Sequence, residues 1–531
     1  MTNFNFDVII IGSGPAGVSA GFPLAKSGLR ILMVDGGYGK EKLPPEKNFI
    51  EWRTNNVDQF SQMIGNDYHY LKMYGMGASP KLRVPALDYV FKDFKSSNRI
   101  SSSNFSAIGS LAKGGLSNAW GCGVACFSDK ELSSFPFPAP DLRTSYAEVA
   151  NRIGVSGGLN DDMSDYFGLD EFSQSPIELD LMHKYFLDRY NIYRNQLISQ
   201  NFRMGRPRLA ILSKDLKDRK ACSLTGNCLW GCHRRSLYSA LHEIPELLKH
   251  KNFNYLPGFL VSNIVKHDVG WTIEGRNLSK NIYESICSSK IFLAAGTIAS
   301  TRLALKTSGY YGEVPILSCP TAAFMVWAPK FLGTKRTPSF GSGQLAFNID
   351  ISKNVNACGS TFSTTGIPVA EFLAHLPFSA RYGADILRNL LSSCVVGNFF
   401  LPGSYGAARA KLNYNDDLVI SYSVNPELTE LMRSGRKILN KSYRKLGGIL
   451  LPGSFKIGTP GGDIHYSGTL PMRKEPGPAE TSWLGELSGC KGIYLVDGSS
   501  LSSLPEKPHT LTIMANADRI AKKVVEKTVG S

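Results

Sequence analysis

Long apolar runs are missing from this 531-residue chain. No uninterrupted stretch reaches the ~18–20 residues that a membrane-spanning helix needs. No basic, small-residue-terminated leader precedes the first strand-like run at Phe6, so no secretory signal is read and the cytoplasm is the expected compartment. Paired C-x2-C spacings are absent although there are ten cysteines, so ordinary zinc-ribbon spacing is excluded, free thiols are expected and no metal is expected. Acidic residues are scarce beside basic ones, 44 against 59, and the net charge is +15. Between residues 182 and 220 ten Lys/Arg face three acids, which reads either as a solvated surface or as contact with anionic lipid or a phosphate-bearing substrate. Nucleic acid is not expected as a partner, because no recognition motif is present and aromatics do not alternate with the basic residues. No internal repeat or low-complexity tract is visible. The chain is too long for one compact core, so two or more domains are expected.

What is present concentrates at the two ends. Asp7-Val8-Ile9-Ile10-Ile11-Gly12-Ser13-Gly14-Pro15-Ala16-Gly17 runs an apolar strand into a G-x-G-x-x-G turn, and a helical stretch follows over 16–27. A second apolar run over 30–34 ends in Asp35, with Gly36 next to it. That acid is spaced as a group accepting from a ribose hydroxyl. Gly12 permits the tight turn, Gly14 lets the backbone approach a pyrophosphate, and Gly17 allows close helix–strand packing. Pro15 and Ala16 open the helix whose N-terminus offers free N–H groups to the phosphates. FAD is favoured over NAD. The fingerprint sits at the start of a long chain, it is not repeated, and C-terminal segments return to the nucleotide fold. Those segments are Ile464-His465-Tyr466-Ser467-Gly468-Thr469, Val496-Asp497-Gly498-Ser499 and the run from Thr510-Leu511 to Ile520-Ala521.

With these residues in view the chain resembles the glucose–methanol–choline (GMC) flavoprotein oxidoreductases, nearest their pyranose-oxidase-like branch. Lys113-Gly114-Gly115-Leu116-Ser117-Asn118-Ala119-Trp120-Gly121 looks like the loop that lies along the flavin. Phe292-Leu293-Ala294-Ala295-Gly296-Thr297 looks like the block that closes over the nucleotide. The resemblance implies an α/β fold: a discontinuous Rossmann-type FAD-binding domain and an α+β substrate or cap domain on a mainly antiparallel sheet. Residues 1–48, 95–130, 215–318 and 486–531 are assigned to the first, and 131–214 and 319–485 to the second. Strand-like runs over 343–349 and 417–422 suggest the floor of the cap. The apolar segment 370–401 reads as a buried helix pair or as a surface dipping into a bilayer interface.

The resemblance also implies hydride removal from an alcohol carbon, most readily of a sugar or glycoconjugate, including phosphate- or lipid-linked forms. His465 matches the family's base, and a near-neutral imidazole suits that task. At the second catalytic position a gapless count places Pro508, which has no donor. His509 follows it and is the provisional partner, with Thr510, a water or a single-histidine site as alternatives. Some relatives bond FAD covalently through a histidine in the flavin loop; Ala119 stands there, so non-covalent FAD is expected. Gly115, Ser117, Asn118, Ala119 and Trp120 are expected along the flavin, with Ala295, Gly296, Asp497, Gly498, Thr510 and Leu511 closing the cofactor site. The loop Cys222-x5-Cys228-x3-Cys232 has relatives in the family that suggest a structural role. No motif fixes the electron acceptor. A lipid, sterol or long-chain alcohol substrate, or a flavin-binding protein with a non-oxidative role, are the other readings.

Overall fold

A computed structural model describes residues 6–39, 46–55, 57–58, 60–65, 67–72, 79–158, 160–335, 337–367, 369–373 and 379–529. The strand Phe6–Ile11 is the centre from which the rest is built. It pairs in parallel with Ile31–Asp35 on one side and with the long strand Ile282–Leu293 on the other. Phe253–Pro257 extends the sheet beyond Ile31–Asp35, and Ile493–Leu495 runs parallel to the end of Ile282–Leu293. Phe259–Lys266 and Trp271–Asn277 complete seven strands through an antiparallel meander. Side chains alternate across a strand, and the first strand serves two cores accordingly. Val8 and Ile10 join the helices Pro15–Lys26, Pro140–Ile153 and Thr510–Val529 on one face. Ile9 and Ile11 join Leu303, Ile316, Ala410 and Ile420 on the other.

The second face is covered by the helix Thr297–Ser308 and a five-stranded sheet. That sheet runs Tyr466–Ser467, Val314–Ser318, Ala408–Leu412, Leu418–Tyr422 and Ile100–Ser103. A separate seven-stranded antiparallel sheet forms the cap. Its central strands are Thr321–Trp327, Cys394–Phe400, Val355–Ser363 and Leu345–Ser352, with Phe202–Gly205 at one edge. The helices Leu181–Ile198 and Leu428–Leu446 pack on its outer face through Phe186, Tyr190 and Tyr443.

Three expectations need correction. The run over 417–422 is not in the cap floor. Leu418 and Ile420 are buried in the core of the nucleotide domain. Within 131–214, the helix Pro140–Ile153 also belongs to that domain, because Leu142, Val149 and Ile153 pack with Met514, Ala517 and Ile520. The segment 370–401 is not a helix pair alone: Cys394–Phe400 is an inner strand of the cap sheet, with Val395 and Phe399 fully buried. An alternating half-buried strand and an amphipathic helix look alike when both are short and apolar. Residues 374–378 of this segment lie outside the described residues.

Half of the basic stretch is paired within the protein. Arg194 pairs with Asp162, Arg203 with Asp350, Lys217 with Glu246 and Lys220 with Asp215, while the fully buried Arg208 reaches both Asp161 and Asp170. No helix among the described residues is long and apolar enough to cross a membrane.

Candidate active site and cofactor cradle

One cavity of 1270 Å³ runs from the glycine turn to the cap sheet. Its floor is the turn after the first strand. A Cβ on Gly12 would stand 2.2 Å from the carbonyl oxygen of Ala294, and one on Gly17 would stand 1.9 Å from that of Gly12. Gly12 also holds φ +109°, which side-chain-bearing residues avoid. Gly14 is different. Nothing in the protein lies within 4 Å of where its Cβ would be, so the backbone is left bare toward the cavity. These are the shapes that a pyrophosphate against a helix N-terminus requires.

Asp35 lines the cavity and is buried. Its carboxylate accepts from Ser13, from the Tyr255 hydroxyl at 2.9 Å and from the Gly37 N–H at 2.8 Å. Burial raises its proton affinity, and these hydrogen bonds work against that. Asp497 joins the C-terminal return to the middle of the chain. It accepts from the Gly296 N–H at 2.9 Å, from Ser300 at 2.5 Å and from Ser499. The C-terminal return is thereby tied to the block that precedes the helix Thr297–Ser308.

Pro15, Ala16, Gly36, Gly115, Ser117, Ala119, Trp120, Ala295, Gly296, Gly498 and Thr510 line the same cavity. Gly17, Asn118 and Leu511 do not. Gly17 is a packing contact. The Asn118 amide donates to the carbonyls of Lys113 and Gly115, and its oxygen accepts from Ser239, so it shapes the flavin loop from behind. Leu511 is fully buried in the helix core because it points away from the cavity at the first turn of Thr510–Val529. Ser117 lines the wall, but its hydroxyl donates to Gly114 and accepts from the Ala240 N–H.

At the cap end the cavity meets both histidines. The rings of His465 and His509 lie edge to face with centroids 5.0 Å apart, and Phe400 packs on His465 at 5.1 Å. Pro508 lines the wall beside them, and His509 immediately precedes the helix Thr510–Val529. Burial pushes the His465 imidazole down to about 4, with Lys81 adding to the effect. Burial, then the neighbouring His465, hold His509 well below the ordinary value. Both rings are therefore neutral at neutral pH. The His465 side chain is 26% exposed, and what it faces is the cavity.

Several participants carry no signal in the sequence. Asp463, 1% exposed, holds Oδ2 at 3.9 Å from Nδ1 of His465 and accepts from the His465 backbone N–H at 3.2 Å and from Ser318 at 2.9 Å. Burial raises this carboxyl to about 7. That Nδ1 has no hydrogen-bond partner and is buried, which leaves Nε2 as the nitrogen toward the cavity. Ile464, between the two, has φ +63°, a left-handed conformation that a β-branched residue adopts only under constraint. Lys81, from the segment 49–94 that the sequence left unassigned, also lines the wall. Among the described residues, the one compact set of metal-capable donors is Cys319, Asp463 and His465.

The comparisons agree with this geometry. Residues 7–42 match the FAD binding domain family model. Pyridoxine 4-oxidase from Mesorbium loti shares the fold with TM-score 0.60 and 14% identity, covering 98% of this chain and 99% of that one. A fungal aryl-alcohol oxidase shares it with TM-score 0.57 and 12% identity, covering 99% of this chain and 100% of that one. No curated protein sequence matches the chain. The chain thus carries an FAD-binding domain and shares, over its whole length, the fold of these two oxidases.

Proposed function

We propose that this chain oxidises an alcohol, taking the proton from its hydroxyl on His465 while the carbinol carbon gives up a hydride. The observation that carries this reading is the pair of neutral imidazoles facing one cavity that continues without a break into the glycine cradle. FAD, when bound along Gly12, Gly14 and the Gly115–Trp120 loop, supplies the hydride acceptor. His465 takes the hydroxyl proton at Nε2, and Asp463 beyond Nδ1 stabilises the imidazolium that results. His509, set at the opposite edge, orients the hydroxyl. Neutral rings are required for these roles, and burial keeps them neutral.

The cap side of the cavity describes the substrate's body. Met325, Phe372, Leu387, Leu390, Val396 and Phe400 form the apolar part of this wall, beside Thr321, Ser360 and Lys456. The Asn398 side chain there is already engaged with the Ser360 N–H. A free sugar would leave hydroxyls without partners against the apolar part of this wall, at a cost for each. An alcohol with an aromatic or long apolar body fits better than a sugar, and the pyridoxine and aryl-alcohol oxidases that share the fold accord with that choice.

Anaerobic mixing of the FAD-loaded protein with benzylic, aliphatic and sugar alcohols tests both points. Bleaching of the flavin by benzylic or aliphatic alcohols is expected. In His465→Ala it should slow on the order of 10²–10⁴-fold with FAD retained. Bleaching by sugars alone would overturn the substrate reading, and an unchanged rate in the variant would overturn the role of His465.

A further inference from the structure

Lys81 brings a positive charge to the cavity from the short helix Pro80–Arg83, whose start is capped by Ser79. Its ammonium nitrogen lies 3.9 Å from where a Cβ on Gly121 would stand, so it sits against the last residue of the flavin loop. The two ends of that loop have different neighbours. Gly115 marks the pyrophosphate end, where a Cβ would stand 3.2 Å from Gly14. Two residues past Gly121 the chain reaches the histidine end, where a Cβ on Gly123 would stand 3.1 Å from Pro508, the neighbour of His509. The Lys81 charge is therefore presented toward the histidines rather than beside the glycine turn.

No carboxylate pairs with this ammonium among the described residues. The acids of the cavity wall are engaged elsewhere: Asp35 with Tyr255, Asp497 with Ser300 and Ser499, Asp463 with Ser318, and Glu506 with the Tyr166 hydroxyl at 2.9 Å. The other cations of the wall differ from Lys81. Arg208 pairs with Asp161 and Asp170, while Arg83 and Lys456 make contacts of their own. An ammonium withdrawn from water without a counter-charge is costly. Burial accordingly pulls Lys81 down to about 8, which leaves it charged at neutral pH. The ionisable groups acting on it are the thiols of Cys122 and Cys228, and burial holds both in the protonated form, so neither supplies the missing charge.

A ligand that brings the opposite charge into the same low-dielectric space removes this cost and gains a charge-assisted hydrogen bond. One ammonium matches the single charge of a carboxylate, whereas a phosphate group carries nearly two. The apolar part of the cap wall faces the same cavity and takes an apolar or aromatic body. We propose that the substrate is a hydroxy acid with such a body, its carboxylate paired with Lys81 and its hydroxyl at His465. This rests on the reading of the cavity as an alcohol-oxidising site and adds the charge of the substrate, with Lys81 as the residue that selects it.

The test begins with ligands that carry no hydroxyl, so that binding is read without turnover. Para-methylbenzoate and its neutral counterpart para-methylbenzamide are titrated into the FAD-loaded protein at neutral pH, and the absorbance of the bound flavin reports occupancy. The carboxylate should bind on the order of 10–100-fold more tightly. In Lys81→Met that ratio should fall to about one, and in Lys81→Arg, which keeps the charge, the preference should persist. Para-(hydroxymethyl)benzoate should then bleach the flavin anaerobically with a higher kcat/KM than para-(hydroxymethyl)benzamide. Equal affinities in the wild type, or an undiminished ratio in Lys81→Met, would overturn the proposal. So would tighter binding of para-tolyl phosphate than of the benzoate, which would replace the carboxylate by a phosphate, or loss of FAD from Lys81→Met but not from Lys81→Arg, which would assign the charge to the cofactor. If both variants lose FAD, the wild-type ratio alone decides. Bleaching by benzylic alcohols without a carboxylate preference would overturn this proposal and spare the oxidation; the preference without bleaching by any alcohol would overturn the oxidation and the hydroxy acid with it.

Discussion

The burial of His465 makes a signed claim about stability and pH. Its imidazole falls from an ordinary 6.5 to about 4 in the folded protein, chiefly through burial. Below pH 6.5 the unfolded chain takes up a proton that the folded chain refuses, so the stability contributed by a neutral, buried His465 is complete above pH 6.5 and is lost as pH falls toward 4. At pH 4.5 the loss amounts to about 2.5 kcal/mol. Asp463 acts in the opposite sense. Its carboxyl rises from 3.8 to about 7. Its contribution is complete below 3.8 and is lost as pH rises through 7, so it supports the folded state on acidification. The two effects offset each other in the wild type, and only a variant separates them. In His465→Gln the histidine contribution is gone and the aspartate remains. Relative to wild type, the variant should therefore gain about 2–3 kcal/mol between pH 7.5 and pH 4.5. Urea unfolding of both proteins at the two pH values, under saturating FAD, measures this difference. A difference below about 0.5 kcal/mol would refute the reasoning, because it would mean that the ring protonates in place as it does in water.

Further outcomes follow from the same geometry. Gly17→Ala should destabilise the fold by about 3 kcal/mol, because its Cβ would overlap the Gly12 carbonyl. Gly14→Ala should leave thermal stability of the FAD-free protein within about 0.5 kcal/mol. Its methyl would project into the cavity where a bound pyrophosphate would be held, so FAD affinity should drop on the order of tenfold or more in a fluorescence titration; equal affinities would contradict the cradle. Asp463→Asn, assayed above pH 7 where the carboxyl is ionised, should slow anaerobic flavin reduction on the order of tenfold or more without releasing FAD, since the imidazolium loses its buried negative neighbour; a wild-type rate there would remove Asp463 from the mechanism. Ile464→Gly relieves a left-handed β-branched residue worth about 1–3 kcal/mol. Its unfolding midpoint should therefore rise or hold while turnover falls, and unchanged turnover would show that the strain does not position His465.

The parts of this protein legible in its sequence are those where backbone geometry dictates residue type locally. The turn Gly12–Gly17 is readable because close approaches at 1.9 and 2.2 Å admit only glycine. The parallel strands are readable because burial on both faces demands continuous apolar runs, as in Val8–Ile11. His465 and His509 could be named because a resemblance supplied their context. That Pro508 and His509 both line the cavity, with the imidazole of the latter meeting His465, required the start of the helix Thr510–Val529 to be placed to the residue. Lys81 was not legible, since it depends on a distant segment being brought to the cavity by the fold; Asp463 stands two residues before His465, yet its approach to Nδ1 depends on the left-handed turn at Ile464, which no residue there announces. Leu511 shows the converse error. It was assigned to the cofactor by neighbourhood in sequence, yet one step along a helix turns a side chain by about 100°, and that rotation sends it into the core beside Met514. Sequence proximity to a functional residue is thus evidence of function on a strand end or a glycine turn, where the backbone itself faces the ligand. On a helix it must first be corrected for phase. By that correction Thr510 and Ile513, which line the cavity, are the positions of the last helix at which substitution should alter the active site.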